Sequence, residues 1–304
     1  MQYERSVLLV GGFGFLGKHL ISYLKTTCIS PIVIAKNRPE EEWRDVEYHL
    51  IDSLSSSDLQ ILSDKVEAVI YMASSSVPST GAIMKELQYT VTPAIDLIDK
   101  LTDANRDLKV IYLSSGGQVY GNELTERAKE SMIPKPVSAY AFGKYLTEQS
   151  LEYLSRSKNT PVAILRVSNP IGKWQQGLKQ GLFNVTYNAL QNDSELIVFG
   201  SGHECRDYVD ADELSFAIYK VINGSFTYGV WNVGSGVATS TLELIGEIET
   251  AYGKKVGKVF KNRRDVDPEY SVLNCEKFQR DFDWRASLSI KDIVKKTLKK
   301  KLMQ

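Results

Sequence analysis

Residues 6–17 read Ser6-Val7-Leu8-Leu9-Val10-Gly11-Gly12-Phe13-Gly14-Phe15-Leu16-Gly17, and the change of character inside this stretch decides the fold. Residues 6–10 form an uninterrupted apolar run, the composition of a strand buried on both faces. Apolar residues at helical spacing follow over 15–25. Between the two, Gly12, Gly14 and Gly17 satisfy G-x-G-x-x-G, and Gly11, Gly14 and Gly17 satisfy G-x-x-G-x-x-G. Glycines permit the tight turn and let backbone N–H groups approach a pyrophosphate. The helix that starts at Phe15 directs its positive end to the same place. The stretch therefore predicts a strand-to-helix junction that cradles a dinucleotide, with Gly11, Gly14, Phe15, Leu16 and Gly17 as contacts. A plain turn with tight helix–strand packing is the alternative for the same residues.

Working outward, the pattern repeats. Short apolar runs at 31–35, 46–51, 66–72, 109–113 and 161–167 alternate with helical spacing, most clearly at 84–101 and 139–155. Buried strands alternating with helices predict an α/β chain with a doubly wound parallel sheet, the Rossmann arrangement, covered on both faces. After Asn169 the pattern loosens into short strands (196–199, 229–233) and helices (212–221, 241–252) among loops rich in Gly, Asn and Asp. The expected division is a dinucleotide-binding domain over 1–170 and, over 171–304, mainly a smaller, partly discontinuous C-terminal lobe that binds the substrate.

Composition narrows the classes. A chain of 304 residues has room for about two domains. Lys+Arg and Asp+Glu are both 37, so the basic footprint of a nucleic-acid binder is absent. Cys28, Cys205 and Cys275 are too scattered for a disulfide framework or a metal site, which predicts no metal and a reducing compartment. No signal-peptide pattern opens the chain, and no apolar stretch reaches the roughly 20 residues that span a bilayer. A cytoplasmic enzyme or ligand binder is expected.

An acid at the end of the second strand would hold the adenosine ribose of NAD. This chain carries Lys36 and Arg38 there instead, which suit a 2′-phosphate. NADP is therefore favoured over NAD, with a solvated basic turn as the plain alternative. Asp52, after the third strand, is assigned to the adenine, or else to capping the next helix. Further on, Tyr140 and Lys144 stand four apart at the start of a helix, on one face. A phenol has a reference pKa near 10, and a neighbouring ammonium lowers it. Such a pair can move a proton to or from a sugar oxygen while hydride moves at the cofactor.

Glycine loop and Tyr140/Lys144 pair together make the chain resemble an extended short-chain dehydrogenase/reductase, of the branch containing nucleotide-sugar epimerases, dehydratases and reductases. The resemblance runs essentially end to end. It includes Tyr71-Met72-Ala73-Ser74-Ser75, Ser114-Ser115-Gly116-Gly117-Gln118-Val119-Tyr120-Gly121, Arg166-Val167-Ser168-Asn169-Pro170-Ile171-Gly172, Arg206-Asp207-Tyr208-Val209-Asp210-Ala211-Asp212 and Arg263-Arg264-Asp265-Val266. It implies NAD(P)(H) as cofactor, contacts to it from Ala73, Ser74, Tyr140 and Lys144, the last at the nicotinamide ribose, and Tyr140 and Lys144 as the catalytic pair. It further implies a nucleotide-diphosphate sugar held by Asn169, Arg206 and Arg263, and a homodimer built on the helices at 84–101 and 139–155. From the residues themselves, ordinary surface salt bridging is the alternative for Arg206 and Arg263, and Asp207 is expected to order Arg206. One departure matters. The Ser or Thr expected four residues before Tyr120 is Gly116, which leaves Ser115 as its substitute; the helix position often held by Asn is Thr90.

The function expected is hydride transfer at C4 of a nucleotide-linked hexose. A 4-keto-(6-deoxy)hexose reductase of surface-polysaccharide sugar synthesis is favoured by Lys36, Arg38 and Gly116. A UDP-hexose 4-epimerase with tightly bound NAD is the alternative, supported by the segments Val77-Pro78-Ser79-Thr80 and 114–117. Outside this class stands a non-catalytic dinucleotide sensor, against which the Tyr140/Lys144 pair argues. His203 is a candidate base contact. Lysines 295, 296 and 299–301 read as the solvated end of a terminal helix, with attachment to an anionic membrane as the alternative.

Overall fold

The apolar run that opens the chain is β1 (Arg5–Val10), followed by α1 (Phe15–Leu24), β2 (Ile29–Ala35), β3 (Tyr48–Leu50), α2 (Ser56–Lys65), β4 (Ala68–Tyr71), α3 (Ile83–Glu86), α4 (Thr92–Ala104), β5 (Lys109–Ser115), α5 (Ala139–Lys158) and β6 (Val162–Val167). Then come β7 (Asn169–Ile171), α6 (Leu182–Gln191), β8 (Leu196–Phe199), β9 (Cys205–Asp210), α7 (Ala211–Asn223), β10 (Tyr228–Val233), β11 (Ala238–Ser240), α8 (Thr241–Tyr252), β12 (Lys258–Lys261), β13 (Tyr270–Ser271), α9 (Glu276–Phe282) and α10 (Ile290–Leu302). The computed structural model describes residues 5–76, 82–176 and 181–303; the Val77–Thr80 motif lies outside them.

A seven-stranded sheet runs in the order β10-β6-β5-β4-β1-β2-β3. The chain winds outward from β1 in one direction, returns, and winds from β4 in the other. Registers such as Val7↔Ala68 and Val7↔Pro31 place β1 parallel to both β4 and β2. Ligands bind such sheets where the winding reverses, beyond the carboxyl ends of the strands. Here that place is the exit of β1 and β4, so Gly11 and Ala73 stand beside each other.

Two compact units divide the chain. The first is Met1–Ser115 with Ser138–Arg166 and Ser215–Trp231; the second is Gly116–Val137 with Val167–Leu214 and Asn232–Gln304. In the first unit, Leu8, Ile32, Val69, Val110 and Ile164 of the sheet pack with Leu62 of α2, Ile98 and Leu101 of α4 and Leu151 of α5. Each such fully buried aliphatic side chain contributes about 1.5–3 kcal/mol. The start of α2 is capped by Ser55, whose hydroxyl accepts from Asp58 N while Asp58 accepts from Ser55 N. Asp52 therefore does not cap it.

The helical pattern at 84–101 is interrupted. Between α3 and α4 lies a wide π turn, Leu87–Val91. Pro93, which has no N–H to return to the preceding turn, sits at the start of α4, so the ladder loosens there. Thr90 lies in this turn, its hydroxyl hydrogen-bonded to that of Ser75.

The second unit packs Phe183 and Leu190 of α6, Leu196 and Val198 of β8, Leu244 and Ile248 of α8 and Ile293 and Leu298 of α10 into its own core. Its short strands β11, β9 and β13 form one sheet, to which β7 adds by pairing with β9. Asp207, fully buried on β9, accepts hydrogen bonds from Ser235 N and Oγ, Gly236 N and Leu273 N. It secures the loop after β10 and the entry to Leu273, which corrects the expectation that it orders Arg206.

Candidate active site

The loop after β1 has the geometry its glycines predict. Gly11 adopts φ +83°, and a Cβ there would meet the backbone of Ala73 at 3.0 Å. Gly14 is the N-cap of α1, with no side-chain cap and no acid in the first turn. The helix end thus stays open to an anion. At Gly17 a Cβ would overlap Gly12, so the helix packs straight onto the loop. Beside this loop lies a cavity of about 700 Å³, whose walls include Gly11, Lys36, Ala73, Ser74, Glu86 and Thr90. Its place at the winding reversal, its volume and the open helix end fit a dinucleotide.

Lys36 and Arg38 are exposed after β2, and neither has an acidic partner among the described residues. Glu40, two residues past Arg38, pairs instead with Lys18 at 2.7 Å. Asp52 sits exposed in the short turn Ile51–Ser53, next to Ile51 on the cavity wall.

Ser138 caps α5 by accepting from Ala141 N at 3.1 Å. This sets Tyr140 in the first turn and Lys144 one turn later. Lys144, 4% exposed, donates to Leu113 O at 2.9 Å. Its Nζ lies 5.9 Å from the Tyr140 ring centre and 5.0 Å from that of Tyr112. Ser115, the last residue of β5, lies close enough to the Tyr140 hydroxyl to pull the phenol's pKa down. A serine one place early in sequence thus reaches the phenol that Gly116 cannot.

The electrostatics follow from burial. Loss of solvent pushes the Tyr140 phenol up; Ser115 opposes this and the Glu86 charge adds to it. Lys144 is drawn down to about 8 by desolvation, opposed first by Glu86 and then by Glu148. Glu148 already has a cation: Arg166 donates to it through Nη2 at 2.7 Å and Nε at 3.1 Å, and Ser114 donates as well. Glu86 and the Glu148–Arg166 pair escaped the sequence reading. Only Gly143, just before Lys144, carries a signal for Glu86, because its missing Cβ makes room for that side chain.

The expected substrate residues lie in the second unit. Asn169 on β7 donates its amide to Asp207 O at 2.9 Å, fixing it against β9. Arg206 on β9 donates to Cys205 O, and among the described residues no carboxylate forks onto it. Burial lowers its pKa, opposed by Tyr208, Asp267 and Glu204. Arg263 donates to Asp267 O and pairs with Glu269 at 3.1 Å, so it carries the ordinary salt bridge its sequence also allowed. Arg264, not singled out in advance, pairs with Asp267 and stacks over Phe199 at 4.5 Å. His203 is exposed. Among the described residues no group of His, Cys, Asp and Glu could hold a metal ion, and no helix is long and apolar enough to cross a membrane.

Comparison with known proteins gives a consistent picture. The NAD dependent epimerase/dehydratase family matches residues 7–234. The dTDP-4-dehydro-6-deoxyglucose reductase of Escherichia coli is 27% identical over 97% of either chain. The UDP-glucose 4-epimerase of Bacillus subtilis is 27% identical over 95% of this chain and 94% of its own. The UDP-glucose 4-epimerase of Thermotoga maritima, solved with UDP-glucose, superimposes with a TM-score of 0.87 at 24% identity, covering 98% of this chain and 100% of that one. That likeness bears out the doubly wound α/β fold.

Proposed function

The chain belongs to the NAD dependent epimerase/dehydratase family, and from that premise we propose that it moves hydride at C4 of a nucleotide-linked hexose, as an NAD(P)H-dependent reductase of a 4-keto-(6-deoxy)hexose in surface-polysaccharide sugar synthesis. The observation that carries this reading is the seating of Tyr140 in the first turn of α5, one turn before the buried Lys144. A phenol keeps its proton at neutral pH, and burial and a nearby acid push its pKa further up. A protonated phenol is a donor, suited to a carbonyl oxygen that is becoming an alcohol. NAD(P)H, when bound, supplies the hydride. Tyr140 gives its proton to the C4 oxygen, Ser115 holds that phenol in line, and the Lys144 ammonium supports both from beneath. Gly11, Gly14, Phe15, Leu16, Gly17, Asp52, Ala73 and Ser74 are assigned to the dinucleotide, and Lys36 and Arg38 to the 2′-phosphate of NADP. Asn169, Arg206 and Arg263 are assigned to the nucleotide diphosphate; Arg263 must exchange Glu269 for it. We place the dinucleotide site in the first unit and the sugar-nucleotide contacts in the second, in a homodimer within the cytoplasm.

One observation favours a second reading. Ser115 supplies the hydroxyl that Gly116 lacks, and an epimerase needs that hydroxyl to handle the proton in both directions. A UDP-hexose 4-epimerase with resident NAD is therefore the alternative. Stoichiometry separates the two. A reductase consumes one NAD(P)H per 4-keto sugar, whereas an epimerase interconverts two sugars without added cofactor. In either case Tyr140→Phe should cut turnover by about 10²–10⁴-fold while cofactor still binds. If no nucleotide sugar is converted, and the substitution changes nothing, the chain is not an enzyme of this kind.

A further inference from the structure

The two buried basic residues around Lys144 are matched by two acids only when Glu86 of α3 is counted. Lys144 and Arg166 are buried basic side chains; Glu148 and Glu86 are buried acidic ones, 1% and 2% exposed. Glu148 is committed to Arg166 and Ser114. Glu86 reaches in from the end of α3, and neither of its oxygens has a hydrogen-bond partner among the described residues. An acid in that condition is held as a carboxylate only by a charge nearby that offsets its lost hydration; otherwise it keeps its proton. Its seat is specific. A Cβ on Gly143 would lie 2.8 Å from Glu86 Oε1 and overlap its Cγ, so the glycine beside Lys144 is what admits the acid.

We propose that Glu86 is the counter-ion of Lys144, a positioning residue that keeps the amine in its ammonium form beneath Tyr140 from a notch opened by Gly143. This rests on the reading of Lys144 as a working ammonium. The groups facing Lys144 come from every neighbouring element. From β5 there are Tyr112 and Ser115, with Tyr71 of β4 behind Tyr112. From α5 itself there are Tyr140 and Glu148, and from β6 there is Arg166, bound to Glu148. Lys85, Glu86, Tyr89 and Thr90 stand on the cavity wall of α3 and the π turn. Two of these groups are carboxylates acting on Lys144, and Glu148 has its own cation. Glu86 is also the stronger of the two in opposing the downward pull of burial on Lys144.

A thermodynamic cycle on the cofactor-free protein tests the pairing without any substrate. Melting temperatures are measured at neutral pH for the wild type, Glu86→Gln, Lys144→Met and the double variant. Glu86→Gln should lower Tm when Lys144 is present, because it strands an ammonium. It should raise Tm in the Lys144→Met background, because there it removes a stranded carboxylate. Equal shifts in both backgrounds overturn the proposal. If Glu86→Gln alone does not fold, the two Lys144→Met proteins still decide the matter by the sign of their difference. Turnover gives a second readout. Glu86→Gln should move the alkaline limb of the pH–rate profile to lower pH by about one unit, and Glu86→Asp should restore part of it; an unmoved limb counts against the idea. Should no nucleotide sugar be turned over by the wild type, the functional reading fails while the melting cycle still judges Glu86.

Discussion

On the proposed reading, Lys36 and Arg38 set the coenzyme preference. Both are exposed, both lie just past β2, and Glu40 is kept from them by Lys18. Charge-assisted contacts to a phosphate are each worth about 1.5–3 kcal/mol. Replacing both residues by alanine should weaken NADPH by about tenfold or more while leaving NADH unchanged. Titration of cofactor fluorescence checks this, and equal loss for both cofactors would remove the case for NADP. Gly143 sets two effects against each other. Alanine gains about 1 kcal/mol of helix propensity over glycine, yet its Cβ would press on Glu86. Overpacking costs about 1–3 kcal/mol, and the overlap falls on Glu86 Cγ as well as on the carboxyl end of the side chain, so Gly143→Ala should be net destabilising in urea unfolding. At this scale, legibility followed locality. Tyr140 and Lys144 were readable because one helical turn joins them. Ser115 was readable as the residue beside a missing side chain. Glu86 was not, because its meeting with Lys144 depends on the tertiary approach of α3 to α5.

Elements were read correctly where period alone decides them, as in β1, α1 and β8, and less well where a neighbour intervenes. The π turn before α4 follows from Pro93, yet a hydrophobic pattern at 84–101 runs through it unbroken. The terminal helix α10 is the clearer case. Its lysines read as a solvated face, but Lys296 Nζ lies 2.6 Å from Asp210 and 2.9 Å from Asp212, and Lys300 lies 2.7 Å from Asp212. Lys301 donates to Gln175 O and to Asn184. The acids belong to the end of β9 and the start of α7, nearly ninety positions away, so no local pattern shows them. Asp210 is 2% exposed and also accepts from Asp212 N and Glu213 N. Removing its cation leaves a buried carboxylate half satisfied. Lys296→Met should cost about 1–3 kcal/mol in unfolding, whereas Lys299→Met should stay within about 0.5 kcal/mol. Equal effects would mean that α10 is held by its apolar face alone. The same anchoring turns three lysines inward, which weakens the case for an anionic membrane as their target.

At the scale of the whole molecule, the doubly wound sheet was legible because parallel strands, buried on both faces, read as continuous apolar runs. The two compact units were harder to read, since each gathers segments from distant parts of the chain. Assembly is the remaining question. On the first unit, Met84 is 68% exposed and Tyr153 64%, with Ile83 and Tyr89 exposed nearby in sequence to Met84. A groove of about 420 Å³ between α4 and α5 is lined by Ile95, Asp99, Gln149, Ser150, Tyr153 and Leu154. Exposed aromatic and aliphatic side chains beside such a groove favour burial against another surface. A two-fold axis lets one patch bury itself against its own copy, which is the commonest route to a dimer. The wild type should therefore sediment as a dimer, with a melting temperature that rises with protein concentration. Tyr153→Glu would place a charge in that contact without touching the core, since the side chain is mostly exposed. It should sediment as a folded monomer whose melting temperature no longer depends on concentration. A wild type that is monomeric throughout would show instead that α4 and α5 meet solvent, and that each chain must complete its chemistry alone.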